Sequence, residues 1–235
     1  MEWRIARYPV IASTNDLALE RLRAGAARPG DVIVAEEQLA GRGRPGRVWH
    51  SAKGALLFTA ILPFAPERVG WTALAAGIAV ARAVRDLGAP AGVKWPNDVV
   101  LDGGKLAGVL AETAAPHLVA VGVGMNVRNP LPEAADVAAR ARRLADWVAE
   151  ATPEGVLETV LERLDACWRL LSAADLAPLR REWAELDTTA GRRVRWSERG
   201  LTGTAEGVDA GGALLIRAPG GELVTAAVGE VGFLE

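Results

Sequence analysis

Three arginines and three glycines fall within Gly41-Arg42-Gly43-Arg44-Pro45-Gly46-Arg47, and Trp49 follows two positions later. Guanidinium forks match the paired oxygens of a phosphate or a carboxylate. Glycines let backbone N–H groups turn toward a ligand and let that ligand come close. An indole adds a flat face for a heterocycle. Together these residue types describe a seat for an anionic compound that carries an aromatic ring, such as a nucleotide. Three like charges this close repel one another, so the stretch makes a poor packed element. The competing readings are a solvated basic loop or an Arg/Gly nucleic-acid tether. The formal net charge of −2 speaks against the tether, because domains that coat nucleic acid are basic.

Two further groups could act on the same ligand. Lys94-Trp95-Pro96-Asn97-Asp98 reads as a strand ending in a Pro-Asn-Asp turn, and Asp98 would stand at the strand end, able to hold Mg²⁺ against phosphates. Lys105 follows Asp102-Gly103-Gly104 and begins Leu106-Ala107-Gly108. Alone it reads as a solvated edge charge, but Gly108 inside a strand suggests close approach by a ligand or another backbone. Gly122-Val123-Gly124-Met125-Asn126 repeats that pattern, with the Asn126 amide at its end. His50 and His117 have no partners at metal spacing, and a single cysteine, Cys167, excludes an internal disulfide.

The elements that must position these residues follow from periodicity. Half the residues are apolar and 24% charged, the profile of a folded chain rather than a disordered one. Ser13-Thr14-Asn15-Asp16 opens a helix ahead of Leu17, Leu19 and Leu22. Strands are expected at Asp31–Ala35, Ala55–Leu62, Val93–Pro96 and Leu118–Val123. A hairpin joins Val99–Leu101 to Lys105–Ala111, its glycines supplying positive φ. An amphipathic helix should run from about Glu67 to Leu87. Thr152-Pro153 opens another, a capping hydroxyl before a proline at the first helical position. Trp147, Trp168 and Trp183 read as core. After Asp187 short strands (Arg193–Trp196, Gly203–Val208, Ala213–Arg217, Leu223–Ala227) alternate with glycine turns, which suggests a small β-barrel or meander packed on the first domain.

The quoted segments resemble the three signatures of biotin protein ligases, in that family's order and spacing, and Ser13-Thr14-Asn15, Gln38 and Gly122–Asn126 match as well. The resemblance implies a mixed-sheet α/β (α+β) catalytic domain of the class II synthetase-like type over residues 1–187, then an SH3-like β-barrel over 188–235. It implies that biotin and ATP give biotinyl-5′-AMP and pyrophosphate, and that the biotinyl group then passes to one lysine of a biotin carboxyl carrier protein. By the same resemblance Ser13, Thr14, Asn15, Gln38, Gly41, Arg42, Arg44, Lys105, Gly108 and Gly122 bind biotin. Arg42, Arg44, Arg47, Trp49, Lys105 and Asn126 bind ATP and the adenylate. Lys105, Arg44, Arg42 and Asp98 carry the catalysis, with Asp98 at the Mg²⁺.

Some family members carry an amino-terminal helix-turn-helix. Here Ser13-Thr14-Asn15 stands almost at the start, so the expectation is a monofunctional ligase that does not bind DNA. Neither a signal peptide nor a spanning apolar run is present in the sequence, and the expected location is the cytoplasm. The resemblance also allows a homodimer. The rivals are a lipoate or octanoate ligase and a nucleic-acid-binding module.

Overall fold

The structure is a computed structural model that describes residues 1–44, 47–50, 52–131, 141–173 and 175–234. Pro45 and Gly46 of the arginine-rich loop lie outside the described residues.

The chain opens with strand β1 (Arg4–Ile11), helix α1 (Thr14–Arg23) and strand β2 (Asp31–Gln38), and β1 and β2 pair in parallel. The Ser13 hydroxyl caps α1 by accepting from the Asp16 N–H at 3.3 Å, as its residue type predicts. Sequence reading did not find β1. Its residues are exposed or half-buried throughout, so it lacks the apolar run or clean alternation of an interior strand.

Strand β3 (Leu56–Pro63) leads through a 3₁₀ turn (Pro66–Arg68) into helix α2 (Val69–Asp86). That helix starts two residues later than its periodicity suggests, because the proline turn occupies the expected first turn. Strands β4 (Gly92–Lys94), β5 (Asp98–Leu101), β6 (Gly104–Ala115) and β7 (Leu118–Met125) then form an antiparallel meander. The resulting mixed sheet has the order β1-β2-β3-β7-β6-β5-β4. The Trp95–Pro96 peptide bond between β4 and β5 is cis. In the β5–β6 turn the positive φ angles belong to Asp102 (45°) and Gly103 (69°), not to Gly104, which makes this an Asp-Gly turn.

Strand β3 shows how the sheet is covered. Phe58, Ala60 and Leu62 join the large core beneath α2, while Ile61 joins Ile33, Ala120 and the α1 residues Ala18, Leu19 and Leu22 on the other face. Alternate residues of one strand therefore serve opposite layers, and every β3 residue but the last is buried.

Helices α3 (Pro153–Ser172) and α4 (Ala177–Leu186) complete the layer on the α2 side. Thr152 Oγ1 caps α3 by accepting from the Gly155 N–H at 3.2 Å. Trp168 and Trp183 are buried, as expected. Trp147 is not: it follows a 3₁₀ turn (Leu144–Asp146) and is 39% exposed, having no long helix to carry it inward.

Strands β8 (Arg193–Trp196), β9 (Leu201–Val208), β10 (Leu214–Arg217), β11 (Leu223–Ala226) and β12 (Val231–Phe233) form a second, antiparallel sheet ordered β11-β10-β9-β8-β12. One apolar cluster runs from Phe58, Trp71 and Trp95 into Val194, Trp196 and Ile216, so the two sheets share a core. Trp71 Nε1 donates to Ala210 O at 2.8 Å and Trp95 Nε1 to Gly212 O at 3.1 Å. A Cβ on Gly70 would overlap the Gly211 carbonyl, and one on Gly212 would come within 2.7 Å of the Gly70 oxygen. At the junction, the Asp187 carboxylate accepts from Thr189 N–H (2.7 Å) and Trp183 Nε1 (3.2 Å). Burial nevertheless holds its carboxyl above the usual carboxylate range.

Candidate active site

On the α1 side of the sheet, beside the first turn of the helix, three glycines leave a trough in the layer of side chains. Its floor is backbone. Gly122 and Gly124 lie two apart on β7, and Gly108 of β6 pairs directly with Gly124, so the three share one face. Each absent side chain leaves room that a neighbour uses. A Cβ on Gly122 would stand 2.7 Å from Asn15 Oδ1, and one on Gly124 would overlap the Trp49 indole. A Cβ on Gly108 would lie 3.3 Å from Lys105 Nζ and 3.4 Å from Trp49 Cζ3.

The closed end of the trough is a buried polar chain. The Thr59 hydroxyl donates to Thr14 Oγ1 at 2.8 Å, with Asn15 Oδ1 at 3.2 Å as the other acceptor. Thr14 Oγ1 donates to Gln38 Oε1 at 3.0 Å, and the Thr14 N–H reaches the same oxygen at 2.7 Å. Asn15 Nδ2 donates to Glu112. The chain fixes the orientation of these amide and hydroxyl groups beside Gly122, and a few precisely placed polar groups are how a compact polar ring compound is recognised. Ser13 belongs to this end but spends its hydroxyl on the helix cap.

At the open end the described residues on either side of Pro45 and Gly46 pair in antiparallel, hairpin fashion. Trp49 N–H donates to Gly41 O (3.0 Å), Gly43 N–H to Arg47 O (3.0 Å), and Arg42 bridges Val48. The expected mutual repulsion of its arginines is relieved by partners distant in sequence. Arg42 Nη2 lies 2.7 Å from both Glu112 Oε2 and Asp16 Oδ1. Arg44 Nη1 donates to Gly229 O at 2.6 Å, and Arg47 Nη2 lies 2.8 Å from Glu230 Oε2. The Glu112 hydrogen bond is the largest influence on Arg42 and raises its guanidinium above the ordinary arginine range, against partial burial.

Lys105 Nζ lies 2.6 Å from Asp98 Oδ1 across the β5–β6 pair and 5.7 Å from the centre of the Trp49 ring. The buried Trp49 Nε1 has no hydrogen-bond partner among the described residues. Asn126, just after β7, donates through Nδ2 to Arg142 O at 3.1 Å and accepts from Asn129 Nδ2 at 3.1 Å, tying residues 126, 129 and 142 together. Asn97 Nδ2 donates to Val109 O, pinning the turn ahead of Asp98 to β6.

The residues singled out in the sequence therefore converge: Thr14, Asn15, Gln38 and Gly122 at one end, Trp49, Gly108, Lys105 and Asp98 at mid-trough, and Arg42 where Glu112 links it to Asn15. Arg44 and Arg47 face the second sheet. Sequence reading missed Thr59, Glu112, Asp16 and Glu230. A threonine inside the apolar run of β3 was the one available signal, since a polar residue there needs a partner.

Among the described residues no three acidic, histidine or cysteine side chains gather as a metal cage. Asp98 supplies one carboxylate. That suits a Mg²⁺ taking its other ligands from phosphates and water.

A family signature described as biotin/lipoate A/B protein ligase matches residues 8–126. The biotin–[acetyl-CoA-carboxylase] ligase of Mycobacterium tuberculosis is 37% identical over 232 residues, covering 93% of this chain and 85% of that protein. The bifunctional ligase/repressor BirA of Escherichia coli is 34% identical, over 92% of this chain and 70% of that protein. Among solved structures, the biotin protein ligase from Aquifex aeolicus in complex with biotin and ATP superposes with a TM-score of 0.82 at 26% identity, covering 98% of both chains.

Proposed function

The chain belongs to the biotin/lipoate A/B protein ligase family, and from that premise we propose how its trough works. It is an ATP-dependent ligase that activates biotin as biotinyl-5′-AMP and transfers biotin to a lysine of a biotin carboxyl carrier protein. One observation carries the residue-level reading: the Thr14, Asn15 and Gln38 polar groups, the glycines of β6 and β7 with Trp49 packed on them, and Lys105 share one face of the first sheet, and Arg42 joins them through Glu112.

Thr14, Asn15 and Gln38 would hold the ureido end of biotin over Gly122, with Ser13 and Gly41 beside them. The valeryl chain would run along Gly108 toward Lys105. In the first step a carboxylate oxygen of biotin attacks the α-phosphorus of ATP, and the bond to the β-phosphate oxygen breaks to release pyrophosphate. Both partners are anionic, so the barrier is one of charge and alignment. Lys105, between Asp98 and the indole, would sit between carboxylate and α-phosphate. Arg42, Arg44 and Arg47 would take the phosphate oxygens, and Trp49 and Asn126 the adenine. Preorganised cations of this kind act without reorganisation at the transition state. Biotin's carboxyl is already ionised near neutral pH, so its attack needs no general base.

The residues present suit Mg²⁺ at Asp98, where it would offset phosphate charge. In the second step a neutral carrier lysine attacks the carbonyl carbon, the bond to the phosphate oxygen breaks, AMP leaves and the amine loses a proton. The mixed anhydride must be kept from water meanwhile, a task for the arginine hairpin.

The division at 187/188, with the five terminal strands as an SH3-like barrel, belongs to the same reading. So do a cytoplasmic location and a homodimer formed along an open sheet edge such as β1, where Ile5 and Val10 are exposed. Among the described residues no helix is long and apolar enough to cross a membrane. The deciding experiment is ATP–pyrophosphate exchange with biotin, lipoate or octanoate as the acid. Exchange with biotin alone supports the reading, and exchange driven by lipoate overturns it.

A further inference from the structure

We propose that Glu230 is a positioning residue for the nucleotide half of the site: with the neighbouring Gly229 carbonyl it docks the arginine hairpin on the second sheet and holds Arg44 and Arg47 side by side before ATP binds. This rests on reading those two arginines as phosphate ligands.

The two contacts come from adjacent residues of one turn. Arg47 Nη2 lies 2.8 Å from Glu230 Oε2, and Arg44 Nη1 donates to Gly229 O at 2.6 Å. That turn, between β11 and β12, is itself anchored. Glu230 N–H donates to Ser197 Oγ at 3.1 Å, and Ser197 N–H returns a bond to Glu230 O at 2.9 Å. Trp196 Nε1 donates to Val228 O at 2.9 Å. Gly229 has φ +98°, and a Cβ there would overlap Glu198 and reach within 2.7 Å of Trp196 Nε1. The turn is thus fixed and the hairpin conforms to it.

Each guanidinium has five N–H donors, so one bond to the turn leaves four for phosphate oxygens. A carboxylate beside two cations offsets their repulsion, and Arg44 meets a neutral carbonyl that leaves its charge intact. Arg47 is 68% exposed and therefore open to a ligand on its other side. The opposite possibility is that Glu230 competes with phosphate for Arg47. It predicts the reverse sign.

The test measures KM for ATP and for biotin by pyrophosphate exchange on the full chain, with Glu230→Ala, Glu230→Gln and Arg47→Ala, alongside thermal melting. Glu230→Ala should raise the ATP KM about three- to fivefold, the scale of an exposed ion pair, leaving the biotin KM and the melting temperature unchanged. Glu230→Gln keeps an acceptor for Arg47 and should recover part of that loss. In the absence of ligands, tryptic cleavage after Arg47 should quicken in Glu230→Ala. An ATP KM that is unchanged or lowered, or a biotin KM that rises equally, overturns the proposal. If Arg47→Ala leaves the ATP KM untouched, the phosphate reading itself fails. If Arg47→Ala raises it and Glu230→Ala does not, only the positioning role fails.

Discussion

At the closed end of the trough the polar groups are buried and satisfy one another, in a chain from Thr59 through Thr14 to Gln38. At the open end the arginines are half-buried or exposed, and their partners are carboxylates and a carbonyl reached across 26 to 185 residues of sequence. The first end has one geometry and loses by any change of shape. The second is an electrostatic field that tolerates shape but not loss of charge. Recognition of a neutral ring system needs the former, and bringing together two anions needs the latter.

The contrast can be broken most severely at mid-trough. Lys105→Ala should lower adenylate synthesis by two to three orders of magnitude, about 3 kcal/mol of transition-state stabilisation, with the melting temperature unchanged. Pyrophosphate exchange beside a melting curve checks both halves. Normal exchange would remove Lys105 from the chemistry.

Next in size is the effect of pH, which separates the two steps. The Arg42 guanidinium is raised above the ordinary arginine range, first by its Glu112 hydrogen bond. A basic group shifted upward keeps its contribution at every pH below its unfolded value and loses it only as pH rises through the folded one. Both lie far above pH 9, so this contact does not titrate in the working range. Adenylate formation should therefore stay flat from pH 6.5 to 9. Transfer should climb by close to tenfold per unit, because the carrier lysine is ordinarily protonated up to about pH 10.4. Single-turnover rates of each step test this.

Gly122→Ala probes the shape-bound end. The new methyl would lie 2.7 Å from Asn15 Oδ1, and Asn15 is held by Glu112 and Thr59, so it cannot yield. The biotin KM should rise about tenfold, since overpacking costs roughly 1–3 kcal/mol, while the ATP KM moves little. The smallest effect belongs to Thr59→Val, which keeps the volume and deletes a buried hydroxyl. A loss of about 1–2 kcal/mol, seen as a melting shift of roughly 2–8 °C, should come with a modest rise in the biotin KM. Equal damage to ATP binding in either variant would erase the distinction between the two ends.

Much of this was legible in the residues. Ser13 and Thr152 announce their helices because capping is local chemistry, and Asp102-Gly103 announces its hairpin for the same reason. The glycines at 108 and 122 were readable as places where something comes close. What stayed hidden depends on pairing at a distance. No local pattern tells Glu112, Asp16 or Glu230 apart from other surface acids; each gains meaning only when the fold brings it to an arginine. Strand β1 was missed because an edge position does not demand an apolar face. Trp147 misled because its neighbours read as helical, whereas only a 3₁₀ turn precedes it.

The glycine contact between Gly70 and the Gly211–Gly212 turn, with Trp71 and Trp95 donating beside it, has a bearing on building chimeras. A carboxy-terminal segment borrowed from another ligase would seat here only if it brought an equally side-chain-free turn to meet Gly70. With any bulkier turn the graft would ride outward, and its acidic tip would miss the hairpin it is meant to steady. Compatibility between swapped halves is thus decided at a spot remote from every reacting atom.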